Sequence, residues 1–548
     1  MKNKLKYYIA LSAFTTLSFV SCVDIDLKPI DSYGVNVMSD PKSTNYIINL
    51  AYGRLMGRGA YEYYGRSFIY LNDLVADEAD YIAGESTVAA RYELDNFSYN
   101  ASNENLTQVW PSIYDVVTTC NSLLDFTDPA VNPTAAGQAL FLRSHSYFNL
   151  VRLFGGVPLM LKVPMTNAEL TIAQTMKRNT INEVYDQIVM DLENVVSKDM
   201  LPTAWSGSEK GRATRWAAKT LLAHVYLTMA GPGTKYEGKK ENLWLNRALE
   251  LLKDVKLNSG LSLEANYNDL WLVAKEYTNT ETVFAIGCNG KDLSFGGIPG
   301  RYTTSYNPID RVGWEFGWGN NVPSLKNFNS FDQNDTRKKS FNTYFILSAD
   351  RLNALTTSDI RTDASGKKYL ARVSSITSII KSFYPGDTVR YEYWQTNTGN
   401  RIIARPHLGK FSERAGNYDP FPNVDDHNYQ IYRFADVLLM LAEVENELNG
   451  PTTIAYDAIN EVRKRAYNSQ GSYQLSGLNK DSFKAAVVAE RKKEFFQEAK
   501  RWFDLLRWDT YMEVMTADGK NVREYNRYFP IPQTERDKNT NLSQNPGY

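Results

Sequence analysis

Catalytic chemistry would need a cluster of reactive side chains, and the sequence offers none at a recognisable spacing. Its histidines are His145, His224, His407 and His427. No two of them stand at a metal-ligand spacing, and no serine-nucleophile or phosphate-loop motif occurs. We therefore predict that the chain has no catalytic centre, no metal and no cofactor. His145 and His224 fall within amphipathic helical patterns, where packed or hydrogen-bonded histidines are expected.

Carboxylates leave one catalytic alternative open, because two of them at a suitable separation can hydrolyse a glycosidic bond. The sequence singles out no such pair. Glu443, Glu445 and Glu447 occupy every second position of a predicted helix. That spacing splits them between helix faces, so we predict a solvated helix surface there rather than a catalytic site.

Aromatic side chains are the more informative candidates, since the chain holds 36 tyrosines, 24 phenylalanines and 10 tryptophans. A flat ring can stack on the apolar C–H face of a sugar, while arginine, asparagine and aspartate bind its hydroxyl rim. The rings and arginines that cluster in polar or glycine-rich segments are Tyr63, Arg66, Tyr81, Arg91, Tyr92, Tyr302, Tyr306, Trp314 and Trp318. Trp314 and Trp318 stand among glycines, where a regular core element is hard to build. The alternative is that these rings fill small cores beneath long loops.

The N-terminus has the features of a secretory signal, with three lysines, an apolar run over 7–20 and a small residue, Ser21. The sequence Phe19-Val20-Ser21-Cys22 resembles the lipobox of bacterial lipoproteins, in which the cysteine becomes the lipidated first residue. An ordinary cleavage site beside an incidental cysteine is the alternative. We predict a signal peptide over 1–21 and a lipid on Cys22. Asp24 and Asp26 resemble the surface-export signal of some Gram-negative lipoproteins.

The charges nearly cancel, with 61 Lys and Arg against 62 Asp and Glu and a formal net charge of -1. This balance argues against a nucleic-acid partner, which would favour a basic excess or stripe. Three cysteines exclude a disulfide scaffold in a chain of 548 residues. Cys120 falls within a helical pattern, so we predict a buried free thiol, while its pairing with Cys288 stays open.

Helical periodicity dominates both ends of the chain, beginning with a helix at Asp40-Pro41. Further helices are predicted over 106–126, 135–154, 180–196, 212–229, 243–255, 433–448, 453–466 and 481–508. Small and large residues alternate within them, as in tetratricopeptide-like hairpins of about 34 residues. Between 261 and 430, glycine, proline and aromatic residues replace this periodicity, and only short strands are expected, at 282–286 and 391–394.

We therefore predict a mainly α fold with a scaffold of tetratricopeptide-like helical hairpins over 41–260 and 431–548. Residues 22–40 are expected to form the lipid-tethered linker. Residues 261–430 are expected to form a loop-rich insertion that contains short strands. Irregular segments on a rigid scaffold commonly carry binding residues, so we expect the insertion to contact the ligand.

Six regions resemble motifs of the SusD/RagB family of outer-membrane nutrient-binding lipoproteins. The first reads FLRSHSYFNLVRLFGGVPL over 141–159, and the last is the terminal QNPGY. The others lie at 211–214, 432–443, 490–508 and 529–535. With the lipobox in the expected place, the resemblance runs from Cys22 to the C-terminus, over a single domain, 22–548.

The resemblance implies a mostly helical, non-catalytic chain that is held by lipid on the exterior of the outer membrane. It also implies a TonB-dependent, SusC-like transporter as partner and the capture of glycans or, in some members, peptides. The family's binding residues lie in variable segments, and the nine candidates named above occupy the matching segments. The shared motifs are scaffold, so ion pairs and helix-end contacts are predicted for Arg433, Asp436, Glu490, Arg491, Arg501 and Asp504. The C-terminal segment is predicted to dock on the body.

The leading hypothesis is therefore a surface lipoprotein that binds glycans. A peptide-binding lipoprotein of the same architecture would depend more on backbone hydrogen bonds and charge than on ring stacking. A lipoprotein glycosidase is a third hypothesis, and a purely structural scaffold for surface lipoproteins is a fourth. The scaffold hypothesis leaves the variable aromatic segments unexplained.

Overall fold

The structure is a computed structural model that describes two large blocks of the chain and several short strands between them. The described residues are 41–58, 62–81, 88–288, 321–342, 344–346, 360–362, 368–371, 381–383, 401–402, 407–410, 427–470 and 473–548. The predicted linker 22–40 and the predicted strand at 391–394 lie outside them.

Sixteen α-helices occur in these ranges, and the fold is mainly α, as predicted. They are α1 (Pro41–Gly53), α2 (Phe68–Asp73), α3 (Ala89–Asp95), α4 (Glu104–Phe126), α5 (Pro133–Phe154), α6 (Asn167–Gln174), α7 (Ile181–Ser197), α8 (Arg215–Ala230), α9 (Glu241–Asn258), α10 (Leu325–Asn329), α11 (Phe434–Asn449), α12 (Thr453–Ala466), α13 (Lys480–Glu494), α14 (Arg501–Arg507), α15 (Tyr511–Ala517) and α16 (Gln533–Lys538). No helix in the described ranges is both long enough and apolar enough to cross a bilayer.

The long helices pack on one another in sequence to form a continuous array. Helix α4 packs on α5, α5 on α7, α7 on α8, and α8 on α9. Helix α11 then packs on α9, although 175 residues separate the end of one from the start of the other. Helices α12 and α13 extend the array beyond α11. The chain therefore leaves the helical scaffold after α9 and rejoins it at α11, with the insertion between.

Local sequence signals fix several helix ends. The Thr180 hydroxyl accepts from the Glu183 amide at 3.2 Å and the Glu183 carboxylate accepts from the Thr180 amide at 2.7 Å, a capping box at the start of α7. Helix α5 ends at Gly155, whose φ of 74° lies in the region that glycine adopts most readily. These predicted boundaries are confirmed.

Short antiparallel strands pair into five small sheets within the described ranges. The pairs are β1 (Ala79–Asp80) with β3 (Val322–Pro323), β2 (Thr282–Ile286) with β11 (Tyr429–Arg433), β4 (Phe341–Asn342) with β10 (His407–Leu408), and β5 (Tyr344–Ile346) with β8 (Lys381–Phe383); the fifth sheet joins β6 (Ile360–Thr362), β7 (Lys368–Ala371) and β9 (Arg401–Ile402). Strand β2 confirms the strand predicted at the same residues. The β2–β11 pair closes the base of the insertion, because one strand leads into it and the other leads out.

The predicted helix over 481–508 is wrong in its middle, where the chain turns between α13 and α14. Gln497 and Ala499 have φ of 51° and 53°. Their backbone amides donate to the buried Glu78 carboxylate at 2.9 Å and the buried Asp73 carboxylate at 3.1 Å. These contacts outweigh the preference of both residues for helical backbone. The helical periodicity of 481–508 could not reveal this turn, because the carboxylates that stabilise it lie more than 400 residues away in the sequence.

Buried ion pairs join the elements, as predicted for the six charged motif residues. Arg491 bonds Asp504 at 2.8 Å, Arg501 bonds Asp77 at 2.8 Å, and Lys500 bonds Asp436 at 2.6 Å. Arg433 and Glu490 belong to a larger network that also includes Glu281, Arg337, Lys410, Arg465, Glu494 and Glu498.

The predicted solvated surface at Glu443 and Glu445 is wrong, because both side chains are buried. Arg507 donates to Glu443 at 2.7 Å and the Trp508 indole donates to it at 2.7 Å. Asn449 donates to Glu445 at 3.1 Å. Several faces of α11 are covered, because α9 packs on one side of it and α12 and α13 pack on others. Glutamates on different faces are therefore both buried.

The C-terminal segment docks on the body, as predicted. The Phe529 amide donates to the Leu153 carbonyl at 2.8 Å, and the Asn545 side chain donates to the Phe154 carbonyl at 3.0 Å. Arg178 donates to the Asn545 side chain at 2.7 Å. These contacts fix the chain end against the glycine-terminated end of α5.

Candidate ligand-binding site

The first predicted ligand residue, Tyr63, begins a π-helical turn over Tyr63–Ser67 that joins the N-terminal segment to α2. Its ring has no exposed surface. The Asn149 amide donates to the Tyr63 and Tyr64 hydroxyls, at 2.5 Å and 2.8 Å. Burial raises the pKa of Tyr63 well above its usual value. The contacts make Tyr63 an anchor between the turn and α5.

His145 completes this buried cluster and confirms the prediction of a hydrogen-bonded histidine. Its Nε2 lies 2.9 Å from the Tyr64 hydroxyl. Burial, with the nearby positive charge of Arg152, lowers the pKa of His145 to about 3. The imidazole is therefore neutral at physiological pH. His224 is partly buried, with its ring against Phe148, and its Nδ1 lies 2.8 Å from the Tyr432 hydroxyl.

Arg66 lies in the same turn and faces the start of α4. Its guanidinium donates to Glu104 at 2.7 Å and to Gln108 at 2.6 Å. The Arg66 side chain is 10% exposed, whereas that of Glu104 is 46% exposed. Glu104 therefore offers more polar surface to solvent than Arg66 does.

Tyr81 and Arg91 flank residues 82–87 and are both largely buried. The Tyr81 hydroxyl accepts from the Val88 amide at 2.7 Å, which ties the two ends of that short segment together. The Arg91 guanidinium lies 5.1 Å from the centre of the Tyr70 ring. These contacts hold α3 against α2 and the end of β1.

Tyr92, on the outer side of α3, is the most exposed of these five residues, with 51% of its surface accessible. Helix α3 is fixed by Asn103, whose amide donates to the Ala90 carbonyl at 2.9 Å and to Glu93 at 2.7 Å. A ring on a fixed helix can stack on a ligand with little loss of conformational entropy.

Strands β1 and β3 bring two distant segments to one place. Asp80 pairs with Val322. Asp80 directly precedes Tyr81, and Val322 directly follows Asn321. The Ser324 amide donates to the Glu78 carbonyl at 2.9 Å. The segment that carries Tyr81 and Tyr92 is thus attached to residues 322–324, which follow 289–320 in the sequence.

The other predicted site residues lie outside the described residues. They are Cys22, Tyr302, Tyr306, Trp314 and Trp318. Their roles remain predictions from the sequence.

Two buried carboxylates hold the β1–β3 junction. Asp73 accepts from the Asn321 amide at 2.9 Å, and Glu78 accepts from the Gln497 backbone amide. Burial raises the pKa of Asp73, although its hydrogen bonds oppose that shift. Burial and the neighbouring Asp73 charge raise the pKa of Glu78. The junction is therefore sensitive to the ionisation of these two groups.

The described ranges hold no group of three or more His, Cys, Asp or Glu side chains that could bind a metal ion. Cys120 is buried, as predicted, and no disulfide joins it to Cys288. Polar groups near β1–β3 bond to one another and hold this junction together.

A groove of about 400 Å³ lies elsewhere, between α1, the loop before α8 and the end of β2. Its lining includes Tyr46 and Tyr277, which are 70% and 50% exposed. Sequence reasoning missed both tyrosines. Tyr46 stands on the polar side of a helical pattern, and Tyr277 lies in a segment without periodicity, so neither carries a local signal.

Two protein-family profiles match this chain. The profile described as "SusD family" matches residues 280–548, and the profile described as "Starch-binding associating with outer membrane" matches residues 48–227. Among curated proteins, "SusD-like protein P2" of Formosa agariphila is 27% identical over the full length of both chains. "Starch-binding protein SusD" of Bacteroides thetaiotaomicron is 25% identical over 98% of each chain.

Solved structures share the fold. A SusD homolog from Bacteroides thetaiotaomicron superposes with a TM-score of 0.73 at 24% identity, covering 94% of this chain and 98% of the other. Surface glycan-binding protein A from the same species, solved in complex with laminarihexaose, gives a TM-score of 0.69 at 20% identity, over 92% and 99% of the two chains. At these identities the likeness concerns the arrangement of the helices and strands.

Proposed function

Because the chain belongs to the SusD/RagB family, we propose that it is a surface-exposed lipoprotein that captures glycans and delivers them to a partner TonB-dependent outer-membrane transporter. The observation that carries this proposal is the end-to-end match, over 98% of each chain, to a protein named for binding starch. A structure of the same fold contains laminarihexaose, which agrees with a glycan as ligand.

Binding without catalysis is the chemistry that the described residues support. Two relatives are named for binding starch or laminarin, and we propose that this chain binds glycan without hydrolysing it. Capture needs exposed rings that stack on sugar C–H faces and polar groups that bind hydroxyls. It also needs a support that keeps those groups in place between binding events.

We place the glycan surface around the β1–β3 junction. Tyr92 supplies an exposed ring there, and Glu104 supplies a polar edge. The proposed partners from the insertion are Tyr302, Tyr306, Trp314 and Trp318. Tyr63, Arg66, Tyr81 and Arg91 remain candidates from the sequence, and their contacts favour a supporting role beneath this surface.

Replacing Trp318 by alanine should weaken glycan binding by roughly 10- to 30-fold, because one central aromatic ring often contributes about 1.4–2 kcal/mol to a binding site. The thermal midpoint should stay nearly unchanged. Calorimetric titration of the glycan, with differential scanning calorimetry of the same samples, measures both quantities. Trp318→Phe keeps a stacking ring and should recover most of the affinity. A large fall in the midpoint of Trp318→Ala would assign the ring to a core instead.

The lipid tether is the second part of the proposal. The lipobox before Cys22 motivates it, and one profile is described by association with the outer membrane. Metabolic labelling with a palmitate analogue should mark the wild-type chain in the outer-membrane fraction and leave Cys22→Ser unlabelled. Equal labelling of both chains would contradict the assignment of Cys22.

A further inference from the structure

The groove between α1 and β2 has one wall made by a single helix face. Tyr46, Asn49, Leu50 and Gly53 stand three, four and seven positions apart, so they share one face of α1. The other side of α1 packs into the core through Ile47, Ile48 and Ala51. The helix is therefore held by its buried side while its second face, with Tyr46, stays open to solvent.

On the opposite side of the groove, the Tyr277 ring lies against the backbone of Gly211 and Gly287. A Cβ atom on Gly211 would lie 3.3 Å from Tyr277 Cε1, and one on Gly287 would lie 3.1 Å from the Tyr277 hydroxyl. Glycine at both positions thus lets the ring lie against the chain. The Asn428 side chain lies beside the Tyr277 hydroxyl. It accepts from the Cys288 amide at 2.9 Å, so the ring lies at the base of the insertion.

Half of the Tyr277 surface stays accessible to solvent. A ring held in this way loses little conformational freedom when a ligand stacks on it. Glu276, directly before it, accepts from the Asn428 backbone amide at 2.5 Å, which holds the same loop from a second side. Tyr277 is therefore a fixed aromatic platform rather than a freely rotating surface side chain.

Two basic residues line the groove, Arg212 and the exposed Lys210. Arg212 donates to Glu209 at 3.0 Å and to Asn49 at 2.8 Å, and its guanidinium lies 5.6 Å from the Trp205 ring. Its positive charge is thus largely compensated by Glu209. Tyr52 donates to Gln138 at 3.1 Å and accepts from the Ala213 amide at 2.9 Å. The remaining recognition elements are flat rings with amide and hydroxyl groups near them.

We propose that this groove is a second saccharide-binding site, in which Tyr277 and Tyr46 stack on the sugar rings of a glycan and the Asn49 side chain contacts its hydroxyls. Its volume of about 400 Å³ lies within the ~300–1,000 Å³ usual for small-molecule sites. Exposed rings beside amide and hydroxyl groups match the C–H faces and the hydroxyl rim of a sugar. This inference rests on the proposed function, since it adds a second contact for the same class of ligand.

A second site changes how long a polysaccharide stays bound. When one chain of sugar engages two sites on the same protein, the second contact forms at high effective concentration. A polymer should then dissociate more slowly than a short oligosaccharide that reaches one site only. The groove lies at the base of the insertion, beside Gly287 and Cys288, whereas the proposed first surface lies at β1–β3.

The test uses the purified full chain and its Trp318→Ala variant, titrated with starch, laminarin, xylan and mannan and with hexasaccharides derived from them. Residual binding by Trp318→Ala should fall a further three- to tenfold when Tyr277→Ala is added, as expected for loss of one stacked ring. Tyr277→Phe should lose less, because it keeps the ring. Tyr525→Ala, an exposed tyrosine that does not line the groove, is the matched control.

Hydroxyl-radical footprinting of the wild-type chain gives a direct second readout. A bound glycan should protect Tyr277 and Tyr46 from oxidation and leave Tyr525 as reactive as before. Unchanged oxidation of Tyr277, or residual binding that Tyr277→Ala does not alter, would overturn the second site while leaving the first intact. Loss of all binding in Trp318→Ala would also overturn it. Absence of binding by the wild-type chain to every glycan would overturn the proposed function itself.

Discussion

Replacing Arg433 by methionine should lower the free energy of unfolding by about 3–5 kcal/mol, the cost typical of removing one partner from a buried ionic network. Arg433 has no exposed surface. It donates to Glu281 at 2.6 Å, to Glu494 at 2.8 Å and to Glu498 at 3.0 Å. Methionine fills much of the same space but leaves three buried carboxylates with less positive charge around them.

The position of Arg433 gives this loss a functional consequence. Arg433 ends β11, and Glu281 directly precedes β2, so the ion pair joins the two strands at the base of the insertion. Glu494 and Glu498 attach the same base to the end of α13 and the turn after it. Burial alone would raise the pKa of Glu498, but Arg433, Lys410 and Lys500 lower it to about 2. We therefore expect Arg433→Met to weaken glycan binding as well.

Arg247→Met is the matched control, because Arg247 forms ion pairs with Glu193 and Glu250 that are partly exposed to solvent. Such pairs contribute about 0–1 kcal/mol. Guanidinium-induced unfolding of both variants and the wild type compares the two substitutions directly. If Arg433→Met unfolds at the same denaturant concentration as Arg247→Met, the buried ion pairs of Arg433 contribute no more to the free energy of unfolding than the partly exposed pairs of Arg247.

Replacing Glu78 by glutamine should stabilise the protein, and the gain should grow by about 1–3 kcal/mol as the pH rises from about 5.5 to 8. Burial and the adjacent Asp73 raise the pKa of Glu78 in the folded protein above the ordinary carboxyl value. The folded state therefore keeps this proton up to a higher pH than the unfolded state does. Stability from this group is present at low pH and is lost as the pH rises toward the folded-state pKa.

Comparing the variant with the wild type at each pH removes the titrating groups far from Glu78 and leaves the combined effect of Glu78 and the adjacent Asp73. His145, whose pKa burial lowers, and Lys410, whose pKa burial lowers to about 8, contribute equally to both proteins. The glutamine carbonyl can still accept from the Gln497 amide, so geometry is retained. Arg501 and Asp77, the other charges near Glu78, are unchanged. A stability difference that stays constant from pH 5.5 to 8 would contradict a raised pKa for Glu78.

The helices were largely predictable because their signals are local. Helix α12 begins and ends where the sequence pattern placed it, and α7 starts at the predicted capping box. The errors arise where contacts with residues distant in the sequence determine the backbone conformation or the burial of a side chain. The turn at Gln497 depends on carboxylates in the N-terminal segment, and Glu443 is buried because Arg507 reaches it from α14.

The ligand-binding residues were less predictable, because ring exposure depends on tertiary contacts. Tyr63 and Tyr92 both belong to aromatic segments of similar appearance, yet Tyr63 is buried against Asn149 and Tyr92 faces solvent. Tyr277 becomes a platform only through Gly211, Gly287 and Asn428, which lie in three other parts of the chain. No spacing rule in the sequence connects these positions.

We expect this chain to capture glycans without altering them, and a single calorimetric titration distinguishes this function from peptide binding and from hydrolysis. Purified wild-type protein is titrated with starch, laminarin, xylan and mannan, with a library of short peptides in parallel, and the glycans are examined afterwards for cleavage. We predict saturable binding of at least one glycan, recovery of that glycan at its original length, and no saturable binding of peptides. Binding of peptides in place of glycans, or shortening of the bound glycan, would contradict the proposal that this chain captures glycans without cleaving them.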